Sequence, residues 1–164
     1  MLLERIAKIT GLSATHIAKL ARTASHRYRT YQIPKRKGGF RTIDHPSKHL
    51  KFLQRWLVRN IFLSIPVHPS VYSYKEGISV REHARLHVNS KYTLRIDFRN
   101  FFPSIKSIDV RRLLGKNKDG FPIQLTDRDI TIISSLSCKN DRLTIGAPSS
   151  PAISNARQSG MATT

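Results

Sequence analysis

Acidic side chains are scarce in this chain. Ten Asp and Glu stand against 29 Lys and Arg, which leaves a formal charge of +19. Surplus charge on this scale opposes compaction unless a polyanion neutralises it, so nucleic acid is the first partner to consider. The blander alternative is a generic basic protein, such as a ribosome-associated one. Cysteine is nearly absent: Cys138 stands alone, which excludes an internal disulfide and any multi-thiolate metal site and suits a reducing cytoplasm. Long apolar runs are missing too. None approaches the roughly 20 residues needed to cross a bilayer, so no membrane role is expected. The opening Met1–Arg5 lacks the pattern of a secretory signal. Neither repeats nor low-complexity tracts occur.

What is present is enough for one compact domain. The 164 residues are 39% hydrophobic and 8% aromatic, a folded composition rather than a disordered one. Residues 1–60 hold 14 basic and 2 acidic side chains, so most of the surplus charge lies at the front.

Ile6, Ile9, Ile17 and Leu20 recur at helical spacing around Gly11, and Ser13 can cap a second helix. This layout also suits a helix-turn-helix over residues 6–22, with Thr15, His16 and Lys19 facing a groove. Tyr28–Pro34 and Phe40–Pro46 flank a Gly-Gly turn and predict a β-hairpin with a cationic tip. Four of the seven residues from Lys35 to Arg41 are basic. Residues 47–63 predict an amphipathic helix, with Ser47 as its cap and Leu50, Leu53, Leu57 and Ile61 as its apolar stripe. Phe52 and Trp56 are expected to widen the stripe. Lys48, Lys51, Arg55 and Arg59 fall outside it and could line a phosphate path. A short strand is expected at Val71–Tyr74 and a turn at Lys75–Gly77. A helix is expected over 79–89 with Val80, Ala84 and Leu86 or Val88 inward, and a strand over 91–97. Further helices are expected over 107–115 and 126–137, the latter with Ile130, Ile133 and Leu136 inward.

Two segments carry the chemistry. In the first, an apolar run delivers Asp97 and is followed by Phe101-Phe102-Pro103-Ser104. The second is Gly146-Ala147-Pro148-Ser149-Ser150-Pro151-Ala152-Ile153-Ser154-Asn155. In this order they resemble motifs A and B of bacterial reverse transcriptases, most closely the retron type. Ile33-Pro34-Lys35 and Gly38-Gly39-Phe40-Arg41 resemble the family's basic fingers hairpin. His87 of His83-Ala84-Arg85-Leu86-His87 matches a further family position, whereas His83 departs from it, as does Ile145 where relatives carry Gln. The His pair alone is no zinc site, since no third ligand adjoins it.

The resemblance implies an α+β fold: a helical N-terminus over 1–27, a fingers-like region over 28–90, and an incomplete palm over 91–155 with a loose tail over 156–164. It implies RNA-directed DNA synthesis on a structured non-coding RNA, with an RNA or DNA primer, dNTP substrates, Mg²⁺ and a role in anti-phage defence. Asp97 and the Phe98 carbonyl would hold metal. Lys35, Arg41, Phe102, Gly146, Ala147 and Pro148 would contact the nucleotide. Arg36, Lys37, Lys51, Arg55, Ser149 and Ser150 would contact nucleic acid. An effector protein could attach. The family's motif C, an aromatic-x-Asp-Asp hairpin, is absent, as is a thumb. Two-ion catalysis requires several carboxylates, so the chain by itself is expected to be inactive unless another chain supplies them. The rival readings are a non-catalytic nucleic-acid-binding module and the helix-turn-helix protein.

Overall fold

The computed structural model describes residues 2–36, 38–74 and 77–159, with side chains through 157. Met1, Lys37, Lys75, Glu76 and residues 160–164 lie outside the described residues, and with them the Lys37 contact, most of the turn expected at Lys75–Gly77 and most of the expected tail. The order is α1 (Leu2–Thr10), α2 (Ala14–Arg22), β1 (Tyr28–Pro34), β2 (Phe40–Pro46), α3 (Lys48–Asn60), α4 (Val80–Arg85), α5 (Phe101–Ser104), α6 (Ser107–Lys116), α7 (Asp127–Ser137) and α8 (Ser149–Ser159).

Periodicity explains the helical body. Ile6 of α1 and Ile17 and Leu20 of α2 are fully buried, as are Leu50, Leu53 and Leu57 of α3 and Ile61 just beyond it. Each such side chain contributes about 1.5–3 kcal/mol by leaving water. Gly11 turns the chain between α1 and α2 at φ +69°, and the Ser13 hydroxyl accepts the His16 amide at 3.2 Å. The α7 start is closed reciprocally: Thr126 Oγ1 accepts the Asp129 amide at 3.2 Å, and Asp129 Oδ2 accepts the Thr126 amide at 3.0 Å. Helix α7 packs on α2, α3 and α6, and α8 packs on α3 and α6. The hairpin runs in register from Tyr28↔Pro46 at its base to Pro34↔Phe40 at its tip. Gln54 Nε2 ties that base to the core, donating to the Tyr28 oxygen and to the Leu136 carbonyl, both at 2.8 Å.

Several expectations are corrected. Ile9 and Phe52 are exposed: Ile9 lies just off the face α1 turns inward, and Phe52 lies on the face of α3 opposite its buried leucines. Ser47 precedes α3, but its hydroxyl makes no capping bond. Val71–Tyr74 forms no strand. The helix expected over 79–89 is only α4, and Val80, Leu86 and Val88 face solvent. The strand expected over 91–97 does not form. The hairpin is the only sheet among the described residues, and an extended segment without a partner cannot satisfy a ladder. The tail is not loose from residue 156: α8 continues to Ser159 and buries Ala156. Its apolar pattern is weak because its packing face is built of small residues, among them Ala156 and Ser154 beside Ile153.

Candidate nucleotide and nucleic-acid interface

The hairpin tip is cationic and open. The Lys35 amide donates to the Gly39 carbonyl at 2.9 Å, and the Gly38 amide donates to the Lys35 carbonyl at 3.2 Å. Gly38 and Gly39 sit at φ +87° and +76°, a conformation that costs other residues strain. The turn therefore presents Lys35, Arg36 and Arg41, all exposed. None forms an ion pair with a described acid. Arginine's planar fork and lysine's point charge are both suited to phosphate.

At the other end of the hairpin lies a groove of about 890 Å³, walled by the strand ends and by α3. Lys51 and Arg55 line it, together with Arg27, Arg29, Lys48 and the half-exposed Phe52. On α3 these residues follow an i, i+3, i+4, i+7 pattern, the face opposite the buried leucines. The cation spacing was legible in the sequence. The contributions of Arg29 and His45 were not, since only the hairpin register pairs them.

Asp97 stands apart from this body. Residues 79–100 are exposed throughout, and Asp97 makes no hydrogen bond or ion pair among the described residues. Asn100, at φ +53°, then turns the chain into α5. The Phe101 ring lies 5.5 Å from that of Phe102 and 6.1 Å from that of Phe98, and both Phe101 and Phe102 are half-buried against the core. Among the described residues no three His, Cys, Asp or Glu side chains gather to hold a metal ion. A lone carboxylate does not fit a two-ion site. His83 and His87 pack edge to face at 5.2 Å, with Tyr72 beside His83 at 5.5 Å.

The Gly146 loop is built into the body. Leu143 donates its amide to the Ile105 carbonyl at 2.9 Å, and Asp44 of β2 donates its amide to the Ile145 carbonyl at 2.8 Å. Gly146, at φ +113°, is exposed, yet a Cβ there would lie 2.7 Å from the Asp44 carbonyl oxygen. The glycine is thus required by the close passage of β2. Ala147 is buried and Pro148 half-buried. Ser149 and Ser150 are also buried, which takes both hydroxyls off the surface expected to meet nucleic acid. Ser150 Oγ instead accepts the Thr144 amide at 3.3 Å.

One group escaped the sequence reading. Lys139 Nζ donates to Asp44 Oδ1 at 2.5 Å and to Thr30 Oγ1 at 2.7 Å, and the Thr30 hydroxyl donates to Asp44 at 2.6 Å. Lys139 also lies 5.7 Å from the centre of the Tyr28 ring. These contacts clamp both strands to the turn after α7. No local signal marks them, because Lys139 is far from both partners in the sequence. Burial pushes the Tyr28 phenol pKa up, partly offset by the Gln54 hydrogen bond. Burial likewise pushes the Cys138 thiol up to about 12.

The hairpin, the Gly146 loop and the aromatic pair after Asp97 together suit the polymerising enzymes that copy nucleic acid. No family model matches the chain. It is similar to the retron Ec73 reverse transcriptase of Escherichia coli, at 36% identity over 76% of this chain and 41% of the relative. It is also similar to the retron Mx162 reverse transcriptase of Myxococcus xanthus, at 32% over 93% and 35%, and to the retron Ec86 reverse transcriptase of Escherichia coli, at 32% over 93% and 47%. Across the residues they share, the chain belongs with the retron-type reverse transcriptases. It spans less than half the length of these curated relatives.

Proposed function

We propose that this chain supplies the fingers and the first part of the palm of an RNA-directed DNA polymerase. The observation that supports the reading is the joining of β2 to the Gly146 loop at Asp44, two register steps from the hairpin base, which ties the strand that bears Arg41 to the second motif. Lys35 and Arg41 are assigned to the incoming triphosphate, with Gly146 and Pro148 beneath the nucleotide and the buried Ala147 supporting them from below. Phe102 is assigned to the floor of the sugar site. Arg36, Lys37, Lys51 and Arg55 are assigned to the template and primer strands. Asp97 and the Phe98 carbonyl are assigned to the first cation position, for Mg²⁺. Since no described carboxylate joins Asp97, nucleotidyl transfer is not assigned to these residues by themselves. The remaining acids would come from further sequence or from a complementing chain. The lineage suggests copying of a structured non-coding RNA in the cytoplasm, in the service of anti-phage defence and with an attached effector. No described helix is long and apolar enough to cross a membrane.

The rival helix-turn-helix reading draws less support. The His16 ring lies 6.0 Å from that of His49 on α3, so one of the three expected groove-facing residues is turned inward. The test is a chimera in which residues 2–155 replace the matched stretch of the retron Ec86 enzyme. We expect template-dependent DNA synthesis that Asp97→Asn abolishes. A chimera that extends primers equally well with Asp97→Asn in place would sink the assignment.

A further inference from the structure

We infer that the core is an interface between two separable pieces of chain, residues 2–78 and 101–159, and that residues 79–100 are a strap which a trypsin-class protease can cut without parting them. The integrity of the cut body needs neither the polymerase assignment nor a metal.

Burial divides the chain in two. Among the described residues, thirteen buried apolar side chains lie from Leu2 to Ile65 and twelve from Ile105 to Ala156, with none between. So even a division leaves each piece with an open apolar face. The other piece covers it, as α7 does on α2 and α3 and as α8 does on α3. Polar bonds cross the same interface. Gln54 Nε2 donates to the Leu136 carbonyl at 2.8 Å, the Asn140 amide to Ser25 Oγ at 3.0 Å and Asn155 Nδ2 to the Ser73 carbonyl at 2.7 Å. The strap takes no part in this. Among the described residues its hydrogen bonds reach no more than four residues along the chain. Its ring contacts outside itself are those of His83 with Tyr72 and of Phe98 with Phe101, near its two ends.

A protease must draw chain extended into its cleft, so exposure without regular structure decides where it cuts. Lys91, Arg95 and Arg99 meet both conditions. Arg81 and Arg85 lie in α4, and Lys35 and Arg36 sit in the bonded turn of the hairpin. The loop before α7, which holds Lys118, is pinned by the buried Leu125. Cutting after Arg95 breaks the Arg95–Ile96 peptide bond. Water gives its hydroxyl to the Arg95 carbonyl carbon and a proton to the Ile96 nitrogen. Asp97 is then left beside a free chain end, while the bond from the Asp44 amide to the Ile145 carbonyl stays whole. The segment that bears Asp97 can thus be broken with the body intact.

The test is limited trypsin digestion of the 164-residue chain, followed by peptide mapping and by size exclusion with and without urea. A failed polymerase assignment would leave these readouts unmoved. The first cuts should fall after Lys91, Arg95 or Arg99. The two pieces should elute together at the volume of the uncut chain, in low and high salt alike, and come apart in urea. Their melting midpoint should rise with protein concentration, as that of the uncut chain does not, because cutting turns folding into association. The Asp44 amide should keep its protection from hydrogen exchange in the cut chain, whereas the amides of residues 92–98 should exchange freely in both. A second variant carries the recognition sequence of a site-specific protease in place of residues 88–94. It should fold, since every residue replaced is exposed, and its pieces should also elute together once cut. The inference is overturned if trypsin first cuts outside residues 79–100, if the pieces elute apart without urea, if the second variant does not fold, or if the Asp44 amide loses its protection on cutting.

Discussion

The helical body and the segment from residue 79 to 100 are built on opposite terms. In the body, α1 to α3 and α6 to α8 turn their branched aliphatic residues onto one core, and caps and long-range bonds fix the turns between them. In the segment, Tyr92 and Leu94 are each 84% exposed, and Ile96 and Phe98 follow the same alternation without a partner strand. The segment carries the one acid assigned to the chemistry, while the body carries the hairpin and the Gly146 loop. The difference teaches that the two proposed tasks, holding a strand and activating a nucleotide, fall to regions of different build. The cations proposed for the first stand on the packed body and its hairpin. The acid proposed for the second stands where the described residues build no surroundings for it.

The core makes the sharpest contrast. Leu57→Ala in α3 should cost about 2–5 kcal/mol, since it opens a cavity among fully buried neighbours. Leu94→Ala should stay within about 0.5 kcal/mol, as a surface change does. Urea denaturation compares them directly, and equal losses would break the division into two regions.

Next in size is the join between the hairpin and the Gly146 loop. Gly146→Ala forces a Cβ to within 2.7 Å of the Asp44 carbonyl oxygen in a left-handed backbone, and should cost about 1–3 kcal/mol. The same substitution at Gly38, where nothing lies within 4 Å, meets only the backbone strain and should cost less. Thermal melts of the two variants separate steric contact from conformation.

Alkaline pH probes the clamp around Tyr28 and Cys138. Both folded-state values are raised by burial above the unfolded ones, so the fold binds these protons more tightly. The Cys138 contribution is full below its unfolded value of about 8.5 and is lost as pH rises from there toward about 12, whereas that of Tyr28 is full below about 10 and is lost only at higher pH. Stability measured by urea at pH 8 and pH 10 should fall by about 1–2 kcal/mol, and Cys138→Ala should remove most of that fall. Smaller still is Lys139→Met. It leaves Asp44 with only the Thr30 hydroxyl, and should cost about 1 kcal/mol because both charged groups keep some exposure. Added salt should narrow the gap between this variant and the parent.

Much of the body was legible in the sequence because it is written locally. The leucine stripe of α3, the Gly11 turn, the Ser13 cap and the Gly-Gly hairpin each follow from neighbours a few residues apart. The failures share one cause. Phe52, Ile9 and Val80 carry apolar side chains at positions where the fold supplies no neighbour, and composition alone cannot reveal that. The strand expected over 91–97 has the right residues but lacks a partner. The burial of Ser149 and Ser150 and the Asp44–Lys139–Thr30 group depend on contacts between distant segments, which no periodicity encodes. The groove was half visible: the α3 cations could be counted, but Arg29 reaches them only through the hairpin register.

The most direct measurement of the central claim is primer extension by the 164-residue chain on an annealed RNA template, with all four dNTPs and Mg²⁺. A body that offers Asp97 with no second carboxylate beside it should yield no more product than its Asp97→Ala variant, even at high protein concentration. Incorporation above that variant would contradict the account, because it would mean that these residues already assemble a working cation site.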